Sequence, residues 1–242
     1  MTLAEILASL FPQGHRVRVA DGLVGGHGPL DGVEATVIGI DGDTALGIEG
    51  ALALSRAVLD AVRAGDRAPI LVLVDSDSQR MSRRDELLGL NECLAHLAKA
   101  LLLADQAGHP TIGLIYGHSA AGAFIATALA TRVLAALPGA NPSVMDLPSV
   151  ARVTKLPLDK LQEMAKSTPV FAPGLDNMVA TGAVHAVLDP ARPLSEQVRA
   201  LIADAPADDV RDRLGAERGG RPVARAVAEA VADEARLEAR RG

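Results

Sequence analysis

Aromatic residues are nearly absent from these 242 positions: no Trp, one Tyr and three Phe, 2% in all. The core must therefore be assembled from Ala, Leu, Val and Ile, with helices and strands approaching closely through Ala and Gly. No set of aromatics exists on which bases stack, and no long basic run accompanies the net charge of −6, so a nucleic-acid partner is excluded. A single cysteine, Cys93, rules out an intramolecular disulfide and fits a reducing cytoplasm. Its apolar helical surroundings make it a packing residue. No window reaches about 18 uninterrupted apolar residues, so no membrane span is expected. The opening "MTLAEILASLFPQGHRVRVADG" carries Glu5 inside its only apolar patch and lacks a preceding basic region, which does not match a signal peptide.

Hydrophobic residues make up 49% of the chain, enough for one substantial core. The spacing predicts a short amphipathic helix over residues 2–11, then β-type runs over 17–40 with turns at Gly22, Gly25-Gly26, Gly28-Pro29 and Asp31-Gly32. A helix follows from about Glu49 to Arg63, and "PILVLVDSD" reads as a strand buried on both faces. "RRDELLGLNECLAHLAKALLLADQAG" reads as the longest helix, closed by Gly108 and Pro110. A second strand–loop–helix unit spans 110–137, containing "TIGLIYGHSAAGAFIATALA". A Pro-studded segment comes next, and a helical tail from Pro193 is interrupted by "LGAERGGRP". Repeated strand–loop–helix units argue an α/β domain with helices packed outside buried strands. Both loops, "DSDSQRMSRR" and "YGHSAAG", follow strand ends, where ligands of α/β sheets gather.

Ser119, between a strand and a helix, invites a nucleophile reading. Gly117 matches the first glycine of G-x-S-x-G, but Ala121 stands at the second. The hydrolase order needs an acid and then a histidine downstream, and only Asp176 and His185 supply one, close behind the serine for that fold. A structural alternative has Ser119 capping the following helix. A third reading uses the backbone: two N–H groups at a helix start stabilise the negative oxygen of a thioester enolate, and "SAAGA" keeps side chains small enough for close approach.

"YGHSAAGAFIATALATRVLAALPGA", "SVMDLPSVARVTKLPLDKLQEMAKSTPVFAPGLDNMVATGAVHAVLD" and "LVDSDSQ" together resemble the gamma subunit of malonate decarboxylase, over about Gly39 to Asp189. That family is similar to the carboxyltransferase half-domains of acyl-CoA carboxylases. The resemblance implies an α/β, crotonase-like (ClpP/crotonase) spiral of ββα units. It implies a domain over residues 1–190 and a C-terminal helical extension, 191–242, packing on that domain or on a partner. It further implies a site shared with a homologous beta subunit, a malonyl group carried on the prosthetic thiol of an acyl carrier protein, and a separate alpha transferase subunit. The pair releases CO₂ and leaves the acetyl carrier, in the cytoplasm, with no cofactor bound by this chain. Ala121 and Gly122 match the positions where relatives carry oxyanion-stabilising N–H groups, although relatives often have Gly-Gly there. Asp75 to Gln79 match a Gly-rich ligand loop of the relatives, here replaced by polar side chains.

Decarboxylation of a malonyl thioester needs donors for the enolate oxygen and then a proton at the α-carbon. His118 is the titratable group of the turn, a candidate to supply that proton or bind the carboxylate. Ser119 is a candidate carboxylate ligand, and Ser76, Ser78 and Gln79 form a candidate polar wall, or else begin a solvated helix. His27, in a glycine turn, and His109, before Pro110, are expected on the surface, with His96 on the long helix and His185 in a strand-like run. No His or carboxylate spacing suggests a metal. "GLVGGHGP" lacks dinucleotide-loop spacing. The arginines of 80–84 and of the tail either greet an acidic carrier or line a solvated helix face. Two further readings stay open beside the decarboxylase: a Ser119 hydrolase, and a scaffold half whose partner holds all the chemistry.

Overall fold

The computed structural model describes residues 1–239; the end of the tail, with Arg240 and Arg241, lies outside the described residues. Helix α1 (Leu3–Leu10) starts at a capping box, in which the Thr2 hydroxyl accepts from the Glu5 N–H and the Glu5 carboxylate from the Thr2 N–H. Strands β1 (Arg18–Ala20), β2 (Leu23–Leu30) and β3 (Val33–Ile40) form an antiparallel meander. Its turns are Asp21-Gly22 and Asp31-Gly32, all four residues at positive φ, as tight hairpins require. The glycines at 25, 26 and 28, with Pro29, lie inside β2 rather than in turns, so His27 is an exposed strand residue.

The parallel part follows: α2 (Ile48–Ala64), β4 (Ile70–Ser76), α3 (Arg83–Leu87), α4 (Leu90–Gln106) and β5 (Thr111–Ala120). The long helix expected here is broken, because Leu88 closes α3 and Gly89, at φ +82°, restarts the chain as α4. Next come α5 (Ala121–Ala126), a 3-10 turn (Ala128–Ala130), β6 (Val133–Ala136) and β7 (Asn141–Ser143). "VLAA" was expected to continue a helix and is strand β6, buried along its length. A short apolar run buried on both faces carries no periodicity that separates strand from helix. The rest is α6 (Leu147–Thr154), α7 (Leu158–Ala165), α8 (Leu175–Ala180), β8 (Ala186–Val187), α9 (Leu194–Ala203), α10 (Arg211–Glu217) and α11 (Ala224–Ala239). Helix α10 runs through Leu214 and Gly215, so the break in the tail falls later than the sequence pattern placed it.

One sheet results, ordered β1-β2-β3-β4-β5-β6-β8 and parallel from β3 onward, with β7 beside the outer half of β5. Alternation divides β4 between two cores. Ile70, Val72 and Val74 face Leu54 and Val58 of α2 and Leu97 and Leu101 of α4. Leu71 and Leu73 face the other way, toward a layer built on Ile6 and Leu10 of α1 and Leu194 and Val198 of α9. Cys93 packs half-buried against the first core. His109, expected on the surface, is 2% exposed and its Nδ1 lies 2.8 Å from the Ala68 carbonyl. Among the described residues no helix is long and apolar enough to cross a membrane.

Candidate active site

The carboxyl ends of β3, β4 and β5 meet at one mouth, and β5 does not enter it smoothly. Val74 pairs with Ile115 and Ser76 with Ser119, so β4 advances two positions while β5 advances four. Tyr116, Gly117 and His118 are left as a bulge, a feature that re-aims side chains at strand ends. Beyond it β5 changes neighbour, with His118, Ser119 and Ala120 pairing with Asn141, Pro142 and Ser143 of β7.

Three aspartates hold the bulge. The Tyr116 hydroxyl donates to Asp41 Oδ1 at 2.7 Å, and burial followed by that carboxylate holds the phenol well above its usual range. The His118 backbone N–H donates to Asp75 Oδ1 at 2.9 Å. The His118 ring Nδ1 lies 3.1 Å from Asp43 Oδ1. Gly117 has no room for a side chain, since an added Cβ would overlap the Asp75 carboxylate. The glycine read as part of a nucleophile motif is therefore required by an aspartate. The ring of His118 and the carboxylates of Asp43 and Asp77 converge, their polar atoms lying within 4.8 Å of one another. Sequence reasoning passed over Asp41, Asp43 and Tyr116, and took Asp75 and Asp77 only as part of the polar loop at 75–79. Their signal was position, since each acid ends or follows a strand of the parallel sheet.

Strand β5 then runs straight into α5, with Ala120 as the extended N-cap and Ala121 at φ +50°. A non-glycine residue in that region stores strain, and in a strand–helix elbow this is the residue set at the apex. Here the apex is alanine. Ser119 sits two positions earlier inside the strand, 0% exposed, its hydroxyl without a hydrogen-bond partner among the described residues. It neither caps α5 nor faces the mouth, which corrects the capping, nucleophile and carboxylate-ligand expectations together. His185 offers no triad either: its Nδ1 accepts from the Leu134 N–H at 3.2 Å, and burial, then the charge of Arg211, push its imidazole down to about 4.

The expected polar wall divides. Ser76 is 0% exposed in β4, its hydroxyl without a partner among the described residues, so it is removed from the wall. The Ser78 hydroxyl lies 3.1 Å from the Gln79 carbonyl, and Ser82 is the true cap of α3. Backbone bonds from Leu46 to Ser78 and from Arg80 to Leu46, both 2.8 Å, pin this loop beside the mouth. Gln79 does reach the helix start: its Oε1 accepts from the Gly122 N–H at 2.8 Å. Arg80 is tied down, since it grips the fully buried Asp85 through two nitrogens, at 2.7 and 3.0 Å, and Glu49 at 2.6 Å. Arg84 pairs with Glu49 at 2.6 Å. Both arginines are ion-paired braces between this loop and α2, although Arg84, like Arg83, is exposed.

An antiparallel meander leading into parallel strand–helix crossovers, with a bulged strand end over a helix start, is the crotonase-like fold of the carboxyltransferases. Transcarboxylase 12S shares it at a TM-score of 0.70 and 18% identity, over 84% of this chain and 41% of that one. Within that class the assignment narrows. The family model described as malonate decarboxylase gamma subunit matches residues 42–235, and the chain belongs to that family. It is similar to a chain of a Pseudomonas malonate decarboxylase hetero-tetramer solved with coenzyme A, at 26% identity and a TM-score of 0.75 over 98% of each chain. It is also 29% identical, over 74% of its length and 68% of the relative, to the malonyl-S-ACP:biotin-protein carboxyltransferase MADD of Malonomonas rubra. The hydrolase reading falls with this assignment.

Proposed function

We propose that this chain forms, with a homologous beta subunit, the cytoplasmic decarboxylase of a malonyl group carried on the thiol of an acyl carrier protein, which an alpha transferase subunit reloads. The N–H groups of Ala121 and Gly122 receive the thioester oxygen. As the bond to the carboxylate breaks, its electron pair moves into the enolate and CO₂ departs. The α-carbon then takes a proton from His118. Of the two roles open to His118, proton supply is favoured, because Asp43, Asp75 and Asp77 around it oppose a second carboxylate. The chain itself needs no bound cofactor for these steps.

One observation carries the reading: the Gly122 N–H already binds an amide carbonyl oxygen, that of Gln79, at 2.8 Å. An oxygen acceptor fits there, and a substrate carbonyl replaces it when Gln79 swings aside. Gln79 thus serves as a stand-in for substrate rather than as a wall. The test is CO₂ release from malonyl carrier protein by the chain assembled with its beta subunit, with no biotin acceptor present. Gly122→Val keeps the N–H but crowds the approach to it with a side chain, and should cut turnover about a hundredfold, as much as losing such a donor costs, with assembly intact. Unchanged turnover would leave the chain a scaffold half, and carboxyl transfer without release would make it a transferase.

A further inference from the structure

We propose that Asp43 is a positioning residue for His118, fixing its ring so that Nε2 alone is presented to the reacting carbon; this rests on the decarboxylase reading above. Asp43 Oδ1 lies 3.1 Å from His118 Nδ1 across 75 residues of sequence. The loop bearing Asp43 is tethered at both sides of it. The Asp41 N–H donates to the Gly22 carbonyl at 2.9 Å, and the Thr44 hydroxyl donates to the Asp41 carbonyl at 2.7 Å. Asp43 itself holds φ +53°, an uncommon backbone for a non-glycine residue and one that a short polar side chain tolerates. The backbone of His118 is fixed separately, by its N–H on Asp75.

The histidine is therefore held twice, at its amide and at one ring nitrogen. A carboxylate only accepts, so Nδ1 carries a proton toward Asp43, and among the described residues no hydrogen bond engages Nε2. With the ring half-exposed at the mouth, Nε2 is the free end. The charged groups around it are Asp43 from the loop after β3 and Asp75 and Asp77 from the end of β4; Asn141 is its neighbour on β7. The proton balance is simple. When the bond to the carboxylate breaks and CO₂ leaves, the α-carbon keeps the electron pair. A new C–H bond forms as Nε2–H of the imidazolium gives up its proton. The ring is left neutral, still donating from Nδ1 to Asp43, and regains a proton from water.

The test uses the assembled complex carrying D43N, D43E or H118Q, with assembly checked by size-exclusion chromatography. A general acid supplies roughly 10²- to 10⁴-fold, and losing its orientation should remove part of that. D43N is expected to lower kcat about 10- to 100-fold with KM within about twofold, and D43E to recover a share. ¹⁵N NMR should show His118 fixed with Nδ1 protonated in the wild type and mixed between tautomers in D43N. A loss in H118Q with full turnover and an unchanged ring spectrum in D43N overturns the inference while the role of His118 stands. Full turnover in H118Q removes that role and the inference with it. A rise in KM alone, or activity lost to a chelator and regained with Mg²⁺ or Mn²⁺, overturns the positioning role as well. Should D43N fail to assemble, D43S takes its place: a mixed His118 tautomer supports Asp43 and an unchanged one refutes it.

Discussion

Replacing Gly117 by Ala isolates the contact on which the mouth is built. The backbone there is not left-handed, so alanine meets no conformational penalty. The obstacle is Asp75, whose Cβ would lie 2.9 Å from the new methyl and whose carboxylate would lie closer still. Asp75 must swing away, and the His118 N–H then loses its acceptor. A hydrogen bond to a charged group nets about 1.5–3 kcal/mol, and the half-buried position argues for the lower end, about 1–2 kcal/mol. For a chain of 242 residues that lowers Tm by about 2–8 °C. Turnover should fall further than stability, because moving a reacting group by about 1 Å costs about a hundredfold. The assay pairs thermal unfolding with CO₂ release from the assembled complex. It includes Asp75→Ala and the double substitution, since two changes acting on one contact do not add. Once Asp75 is alanine, Gly117→Ala should cost almost nothing more. Additive losses, or a Gly117→Ala protein with wild-type Tm and turnover, would refute the reasoning.

Ser119→Ala removes a buried hydroxyl that has no partner, so stability should hold or rise by up to about 1 kcal/mol in urea unfolding, with turnover retained; an inactive protein would bring back a role for the hydroxyl. The His185 imidazole is held down to about 4 against about 6.5 when unfolded, so the stability it lends is whole above about pH 6.5 and drains as pH falls toward 4. Between pH 7 and 4.5 the wild type should lose roughly 1–2 kcal/mol more than His185→Gln, after discounting for solvent screening, and parallel losses would refute this. Arg80→Met removes two of the three guanidinium contacts on the buried Asp85 carboxylate and leaves Arg84 at 3.3 Å, so it should lower Tm more than Arg16→Ala, which breaks only the exposed pair with Glu34. Similar shifts in the two variants would count against Arg80 as a brace.

How far the site could be read from the sequence follows from the range of each signal. The α/β class, the buried β4 and the helix at 48–64 rest on local periodicity and were legible. The two misread helices failed for local reasons. Leu88-Gly89 breaks a periodic run without disturbing its apolar spacing, and "VLAA" has no spacing to read. "GHSAAG" was read as a functional turn, but its geometry was invisible, because a bulge is a relation between two strands. Nothing in residues 111–120 says that β4 will advance two positions for four of theirs. Asp43 and His118 meet across 75 residues and Gln79 and Gly122 across 43, so no window contains either pair. Ser119 drew attention because it is the residue type that does chemistry, whereas the strained residue at the elbow is Ala121.

The sign of charge at the mouth gives the site its remaining logic. Asp41, Asp43, Asp75 and Asp77 all stand at the carboxyl ends of β3 and β4, and of the three arginines just beyond, Arg80 and Arg84 are engaged with Glu49 and Asp85. A malonyl carboxylate brought beside these aspartates meets like charge, and two unit charges about 6 Å apart repel by about 0.7 kcal/mol even in water. Such a mouth does not bind the substrate carboxylate; it favours the charge leaving. In the proposed reaction that is the required direction, since the carboxylate becomes neutral CO₂ while the electron pair moves toward the N–H groups of Ala121 and Gly122. The cationic contacts that hold the substrate must then come from across the mouth. On the proposed reading that positive charge falls to the beta subunit.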